Sequence, residues 1–357
     1  MISSPLNDLK VIEIASVLAG PSVGMFFAES GAHVIKIENK SGGDVTRSWK
    51  LPAEDKSSNI SAYFAAINYK KEFHFLDFKN AEDLKQVTEL IKSADILIAN
   101  FKRGDAEKFR LDYSTLKQLN PKLIYGEISG FGEQSDRVAY DLILQAESGF
   151  MHINGTENSG PVKMPVALID ILAGHQLKEG ILVALLNRYQ TGKGCRVHVS
   201  LYDSAVASLA NQASNWLMTG INPRRLGSKH PNIAPYGDIF TTNGGRQITL
   251  AIGSDVQFAK LCAVLNLTEL IADPRFATNQ ARVVNRFELE KLLFEKIKGM
   301  NTVSLLYQLE KNQVPAALIK TVEEVFADEQ AQSLVREEII DGKNTRRVTS
   351  VVFQISA

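Results

Sequence analysis

The chain is expected to fold as an α/β protein, with a large domain built on a doubly wound parallel sheet and a smaller α/β domain after it. Three observations carry this expectation. In the first third, short apolar runs alternate with longer stretches of helical periodicity, the pattern that buries strands between two helix layers. The length of 357 residues exceeds what one hydrophobic core holds, so two domains are expected. The stretch Asn222–Asn232 is polar and rich in turn formers, and it sets the boundary. The large domain is therefore expected over 1–222 and the small one over 223–324.

Val11–Ala15 reads as the first strand. Gly20-Pro21-Ser22 follows as a turn, with Pro21 suited to a first helical position because its missing N–H is not needed there. A helix through Phe26, Phe27 and Glu29 ends at Gly31, and Ala32–Glu38 is the second strand. This is a βαβ unit, whose strands should be parallel and whose crossover should be right-handed. A helix over Ala81–Ser93 leads into Ile96–Asn100 as the third strand, and a helix near Tyr113–Leu119 precedes the strand Leu123–Ile128. The alternation is Rossmann-like.

Residues Ile171–Tyr189 form a helix so apolar that it is expected to be buried, and Gly192 and Gly194 stop it. Val197, Val199 and Leu201 alternate with polar residues as a strand. Asp203 or Ser204 is then expected to cap a helix running to about Gly220. In the small domain, Gly237–Phe240 and Gln247–Ile252 read as strands around a turn at Asn243-Gly244-Gly245, with helices over Val256–Leu265 and Phe287–Lys298.

Composition excludes several function classes. Apolar residues make up 45% and aromatic residues 8%, as in ordinary globular proteins. The 40 basic and 40 acidic residues cancel, which removes any bulk electrostatic argument for nucleic acid or a membrane surface. Cys195 and Cys262 have no metal or redox spacing and are expected as reduced thiols. Met1–Asp8 lacks a basic region followed by an apolar run, so no signal peptide is expected, and no apolar run approaches a membrane span. A soluble cytoplasmic protein is expected.

The six histidines (His33, His74, His152, His175, His198 and His230) are scattered without metal-ligand spacing, so no metal site is expected. Gly-x-Ser-x-Gly is absent. The loop Val17–Gly24 is not Gly-x-Gly-x-x-Gly, and Pro21 removes an amide that a pyrophosphate would use, so an NAD-dependent enzyme is a weak alternative. A short basic set, Lys79 with Lys102, Arg103 and Lys108, lies near the exits of strands, where open α/β sheets bind ligands and where cations suit phosphates. Asp170 stands among Val166, Ala167, Leu168, Ile169, Ile171, Leu172 and Ala173. A charge there is costly unless it is needed. On the residues alone, a helix N-cap and a chemically active acid both remain open.

Taken in order, a series of short motifs is specific. They are Leu9–Glu13 leading to Ala19-Gly20-Pro21, Gly31–Glu38, Gly42-Gly43-Asp44-Val45-Thr46-Arg47, Asn68-Tyr69-Lys70-Lys71 and Leu76-Asp77-Phe78-Lys79. Asn100–Gly104, Ser129-Gly130-Phe131-Gly132, Tyr140-Asp141 and the Asp170 segment complete them. With these motifs along nearly its whole length, the chain resembles the class III CoA-transferases, the formyl-CoA transferase-like family that also contains the alpha-methylacyl-CoA racemases.

The resemblance implies a reaction. Asp170 matches the family nucleophile, a carboxylate that forms a mixed anhydride and then an aspartyl-CoA thioester while CoA passes from an acyl-CoA donor to a carboxylic acid acceptor. No tightly bound cofactor is implied, coenzyme A or acyl-CoA being the substrate. Val17, Leu18 and Ala19 match a loop lying against CoA, and Leu76, Lys79, Asn100, Phe101, Arg103 and Lys108 match positions around its adenine and phosphates. Asn39 stands where the family often has arginine, with Lys40 beside it. Tyr140 matches a residue near the thioester, and Arg137 is placed to reach substrate.

Racemases carry histidine at the Tyr140 position as half of an acid/base pair, so its absence favours a transferase over a 2-methylacyl-CoA racemase. A CoA-binding protein without catalysis is the other alternative. Where formyl-CoA transferases have a glycine-rich closing loop, this chain reads Lys229–Gly237, so formyl and oxalyl substrates are not implied. The family further implies an interlocked homodimer, with residues from about 325 to 357 returning towards the large domain. From its residues, Arg346–Ile355 reads as strand-like.

Overall fold

The computed structural model describes residues 6–356. Met1–Pro5, part of the stretch read above for a signal peptide, lie outside the described residues. Contacts divide the chain into two compact units, one running to Gly149 with Met164–Ala210 and everything from Gln330, the other comprising Phe150–Lys163 and Asn211–Glu329. The sequence reading placed the corresponding boundaries after 222 and 324.

The first unit holds a six-stranded parallel sheet of β1 (Lys10–Glu13), β2 (His33–Asn39), β3 (Lys71–Leu76), β4 (Ile96–Ala99), β5 (Ile124–Ser129) and β6 (Arg196–Ser200). Their spatial order is β3-β2-β1-β4-β5-β6, so the winding reverses between β1 and β4. The two strands at the reversal are covered on both faces; every residue of β4 is buried, as a near-continuous apolar run requires. β3 is an addition to the sequence reading, which counted Ile96–Asn100 as the third strand. Lys71, Glu72 and His74 disguise it, and edge strands commonly carry such charges.

The helices through this unit are α1 (Ala19–Glu29), α2 (Ala62–Ala65), α3 (Ala81–Lys92), α4 (Asp105–Lys108), α5 (Tyr113–Leu119), α6 (Asp141–Glu147), α8 (Leu168–Thr191) and α9 (Leu201–Ala207), while α7 (Phe150–Ile153) and α10 (Ala210–Thr219) fall at or beyond its edges. One sheet face packs Ile12, Ile35, Leu97 and Tyr125 against Val87 and Ile91 of α3 and Leu116 of α5. The other face takes α1 and α8. Glycine lets α8 lie close, since a Cβ on Gly126 would stand 2.8 Å from Ile181 Cδ1.

Three sequence expectations about these helices are corrected. α8 buries only one stripe (Ile169, Asp170, Ala173, Leu177, Ile181 and Ala184), while Val183, Leu186 and Tyr189 on the opposite side are exposed, Tyr189 at 93%. Ser200, not Asp203 or Ser204, caps the helix after β6, its hydroxyl accepting from Asp203 N, and that helix ends at Ala207 instead of running to about Gly220. Pro21 is the third residue of α1 rather than the first, still within the turn whose N–H groups lack helical partners.

The chain returns to this unit in an antiparallel hairpin, β10 (Val335–Ile340) with β11 (Lys343–Val348). The strand-like reading of Arg346–Ile355 holds only as far as Val348; residues 349–356 carry no regular structure. Glu29 at the end of α1 anchors them, accepting from Arg347, from Thr349 Oγ1 at 2.8 Å and from the amides of Ser350 and Val351 at 2.9 and 3.0 Å.

The second unit is built on a three-stranded antiparallel sheet, β7 (Tyr236–Thr241), β8 (Gln247–Ala251) and β9 (Ala316–Leu318), packed with α11 (Asp255–Leu265), α12 (Asn279–Val284), α13 (Arg286–Ile297) and α14 (Thr302–Lys311). Phe240, Leu250, Phe258, Leu261, Leu293 and Leu309 are among its core residues. Among the described residues, no helix is long and apolar enough to cross a membrane.

Candidate functional site

A cavity of about 860 Å³ opens in the first unit at the carboxyl ends of β1, β4 and β5, beside the reversal of strand order. Open α/β sheets bind their ligands at this point because the loops from the two neighbouring strands diverge there. Ser16–Ala19 form one wall, the loop after β4 from Asn100 another, and the loop after β5 from Ser129 to Tyr140 a third. Asp170 closes the floor.

The first wall is held from behind. Its chain runs from β1 into α1 with Val17 at φ 73°, the left-handed region, which is strained for a β-branched residue. Asn100 clamps Ser16 on both sides, its Oδ1 accepting from Ser16 N at 3.1 Å and its Nδ2 donating to Ser16 O at 3.0 Å. Val17 N donates to the Asp44 carboxylate, at 3.3 Å to Oδ2. Leu18 is the N-cap of α1 without a side-chain cap, so the first amides of α1 receive nothing from it.

Asp170 is 8% exposed and is the third residue of α8. It is not the N-cap; Ala167 is, and it offers no side chain to the helix. Asp141 caps from another element, its Oδ1 accepting from Ile169 N at 2.8 Å. Gln145 braces that carboxylate through Nε2 at 2.7 Å and holds Met164 by accepting its amide at 2.8 Å. The first turn of α8 is thus seated on α6. It is also pressed onto α1, because Gly174, one turn beyond Asp170, brings the helix so close that a Cβ would lie 2.4 Å from Ser22 Oγ. Two surfaces therefore fix the acid.

Its electrostatic setting is negative on one side. Burial, with the charges of Asp170, Asp141 and Asp44 behind it, pushes the Tyr63 hydroxyl up to about 12. The helix dipole of α8 opposes this by favouring an anion in the first turn, typically by ~0.3–1 kcal/mol.

The structure brings together Val17, Leu18, Ala19, Asn100, Phe101, Arg103, Arg137, Tyr140 and Asp170 on the cavity wall. Tyr140, at 55% exposed, is the N-cap of α6, directly before Asp141. Arg103 is exposed and donates to Gln134 O at 3.2 Å. Arg137 stacks 3.9 Å over the Phe131 ring and pairs with Glu147. Asn39, Lys40, Leu76, Lys79 and Lys108 do not line this cavity. Asn39 closes a turn by accepting from Ser41 N at 2.8 Å, Lys40 pairs with Asp83 at 3.3 Å, and Leu76 is buried in the core. Lys79 and Lys108 are exposed.

Sequence reasoning missed the polar wall of β5 and β6, where Arg196 pairs with Glu127 at 2.6 Å and Glu133 at 2.9 Å, and His198 meets Ser129 Oγ at 2.9 Å. The alternation in β6 was the available signal. Among the described residues, no group of three or more His, Cys, Asp or Glu side chains is arranged to hold a metal ion.

Comparison with known proteins agrees with this architecture. A model of CoA-transferase family III matches residues 6–357. The chain is 42% identical over 335 residues to a succinate–glutarate CoA-transferase of Agrobacterium fabrum, covering 92% of this chain and 83% of that protein. It is 35% identical over 329 residues to a human succinyl-CoA:glutarate CoA-transferase, covering 91% and 74%. A crystal structure of a CAIB/BAIF family protein from Brucella suis superposes with a TM-score of 0.83 at 40% identity, covering 99% of this chain and 93% of that one. Similarity along the whole chain, in sequence and in fold, makes this protein a member of CoA-transferase family III and so a class III CoA-transferase.

Proposed function

We propose that this transferase moves CoA between short dicarboxylic acids, with Asp170 as the covalent relay. The observation that carries the reading is the placement of Asp170: a buried carboxylate in the first turn of a long helix, on the floor of a cavity at the strand reversal. Relatives named for succinyl-CoA, succinate and glutarate support the substrate class.

The steps balance without an added reagent. The Asp170 carboxylate attacks the thioester carbonyl of the donor; the C–S bond breaks and CoA leaves as thiolate. The thiolate attacks the Asp170 carbonyl of the mixed anhydride, giving aspartyl-CoA thioester and releasing the donor acid as carboxylate. The acceptor carboxylate then attacks this thioester, and thiolate returns to the acceptor carbonyl, regenerating Asp170. Each step exchanges one anionic leaving group for another, so the protein's task is to hold the acid ionised and aimed.

In this reading Val17, Leu18, Ala19, Asn100, Phe101 and Arg103 line the path of CoA, and Tyr140 and Arg137 stand near the acyl group. Asn39, Lys40, Leu76, Lys79 and Lys108 are assigned to the outer, adenine and phosphate end. The protein acts in the cytoplasm as an interlocked homodimer. The exposed Val183, Leu186 and Tyr189 on α8 support a partner surface, since contiguous apolar exposure marks interfaces.

The test is mass spectrometry after incubation with succinyl-CoA. A CoA adduct on the Asp170 peptide, discharged by hydroxylamine and lost in Asp170→Asn, is expected. Deuterium entering the α-carbon of a 2-methylacyl-CoA with no adduct on Asp170 would instead establish the racemase reaction.

A further inference from the structure

Behind the first cavity wall lies a closed set of buried charges that the proposed chemistry does not use. Glu13 at 0%, Lys36 at 1%, Asp44 at 4% and Lys71 at 7% exposure all sit under the loop from β1 to α1. Lys36 Nζ is 2.8 Å from Glu13 Oε1 and 3.0 Å from Asp44 Oδ2, and Lys71 Nζ is 2.7 Å from Glu13 Oε2. Two cations thus meet two anions. None of the four lines the cavity, so none can touch a ligand there.

What they do touch is the backbone of that loop and of the first turn of α1. Lys36 Nζ donates to Ala15 O at 2.7 Å, Lys71 Nζ to Pro21 O at 2.9 Å, and Asp44 accepts from Val17 N. Asp44 is itself immobilised, accepting from Thr46 N at 3.0 Å and Thr46 Oγ1 at 2.8 Å, while its own amide donates to Glu38 Oε2 at 2.6 Å. Glu38 is held in turn by Arg47 at 2.7 Å. Burying such ions is expensive, and an apolar replacement is commonly as stable or more so. The residue whose amide Asp44 holds is Val17, in a left-handed conformation that is strained for a β-branched side chain.

We infer that Asp44 and Lys36 are positioning residues, which force Val17 into its left-handed conformation and so shape the wall against which CoA lies. Asp44 acts through the Val17 amide, and Lys36 acts on Ala15 while keeping Asp44 charged and in place. Burial raises the Asp44 carboxyl, but Lys36 and Thr46 outweigh it and hold the group below the usual carboxylate range, so it is ionised at neutral pH. The link to CoA rests on the function proposed above; the link to Val17 does not.

Hydrogen exchange, calorimetry and thermal melting on the whole chain separate them. Hydrogen exchange of the Val17 amide, read without ligand, is expected to quicken at least about tenfold in Asp44→Asn, whose neutral amide is a weaker acceptor. CoA affinity by calorimetry is expected to fall about tenfold in Asp44→Asn but less than about threefold when the same change is made in Val17→Gly, because glycine takes positive φ without being forced. The pair Lys36→Met with Asp44→Asn, charge-neutral and spared an unpaired buried ion, should recover thermal stability without recovering CoA affinity. Unchanged Val17 exchange in Asp44→Asn overturns the inference. So does an equal loss of affinity whether Asp44→Asn is made in the wild type or in Val17→Gly, or joint recovery of stability and affinity in the double variant. Faster Val17 exchange in a protein whose wild type binds no CoA leaves the positioning role standing and removes the acyl-CoA reading instead.

Discussion

Gly174→Ala tests whether the seating of α8 on α1 governs the reaction. The added Cβ would lie 2.4 Å from Ser22 Oγ and 3.1 Å from Ala19 O. Ser22 Oγ donates to that same carbonyl at 2.7 Å, so the hydroxyl can rotate away only by giving up its bond, and the carbonyl belongs to helix backbone and cannot rotate. The neighbour must yield by several tenths of an ångström. Alanine gains ~1 kcal/mol of helix propensity over glycine. Overpacking costs ~1–3 kcal/mol. Packing wins, and a net loss of ~1 kcal/mol is expected. Asp170 lies one turn away on the same face, so a displacement of α8 moves it against the Val17–Ala19 wall. A shift approaching 1 Å at reacting atoms costs up to ~10²-fold in rate. The assay is kcat with succinyl-CoA and glutarate beside thermal melting, for Gly174→Ala, Ser22→Ala and the pair. A loss of ~10-fold or more in kcat, partly recovered when Ser22→Ala removes the hydroxyl, is expected. A Gly174→Ala enzyme within twofold of wild type, or a pair no better than the single change, would refute the reasoning.

Burial holds the Lys71 ammonium down, to about 8, against the attraction of Glu13, whereas an unfolded lysine keeps its proton to 10.5. Between those values the unfolded chain binds more protons, so stability contributed by this site rises with pH. Urea unfolding should show wild type gaining on Lys71→Met from about pH 8 to about pH 10, and a flat difference would count against a buried, depressed ammonium. Asp141→Ala leaves the amide of Ile169 without its side-chain acceptor, at a cost of ~1–3 kcal/mol, while Gln145 Nε2 keeps Met164 O at 3.3 Å; melting should fall and kcat with it, and loss of stability alone would mean that Asp170 does not depend on this cap. Burial raises the Glu29 carboxyl, but hydrogen bonds from Ser350, Arg347 and Thr349 outweigh it and hold it below 4.5. Its contribution is therefore present above that value and lost as pH falls through the lower native one; exchange of the amides of Ser350 and Val351 should quicken there, and should already be fast in Glu29→Ala at neutral pH.

Much of the fold was legible because its central strands are apolar runs. β1, β2, β4 and β5 all stand within a residue or two of where periodicity put them. β3 was not legible, since alternation with lysine, glutamate and histidine at a sheet edge looks like a polar segment. The apolar composition of α8 was read as burial on all sides, although an exposed apolar stripe and a buried one have the same composition. Length of helix also escaped the reading where Ala210, at φ 48°, breaks the run after β6 into α9 and α10.

The site shows why motif residues and ligand contacts are different things. Asp44, Arg47, Asn68 and Lys71 belong to the motifs by which the chain resembled its family, yet each is spent on backbone or on another buried side chain. Asn100, read as a CoA contact, spends both ends of its amide on Ser16. Asn68 Oδ1 accepts from Lys71 at 3.0 Å, and Lys71 carries that order on to Pro21. Sequence separation hides all of these links, because β2, β3 and β4 bring their residues under one loop only once the sheet is formed. What such motifs encode is therefore the shape of a wall rather than its chemistry. On the function proposed above, a carboxylate nucleophile needs that precision because it gains rate mainly from standing where the thioester carbonyl will be. On this argument, changes behind the wall should separate from changes at Asp170 in kind: the first weaken CoA binding and leave the adduct able to form, the second abolish the adduct and leave CoA bound.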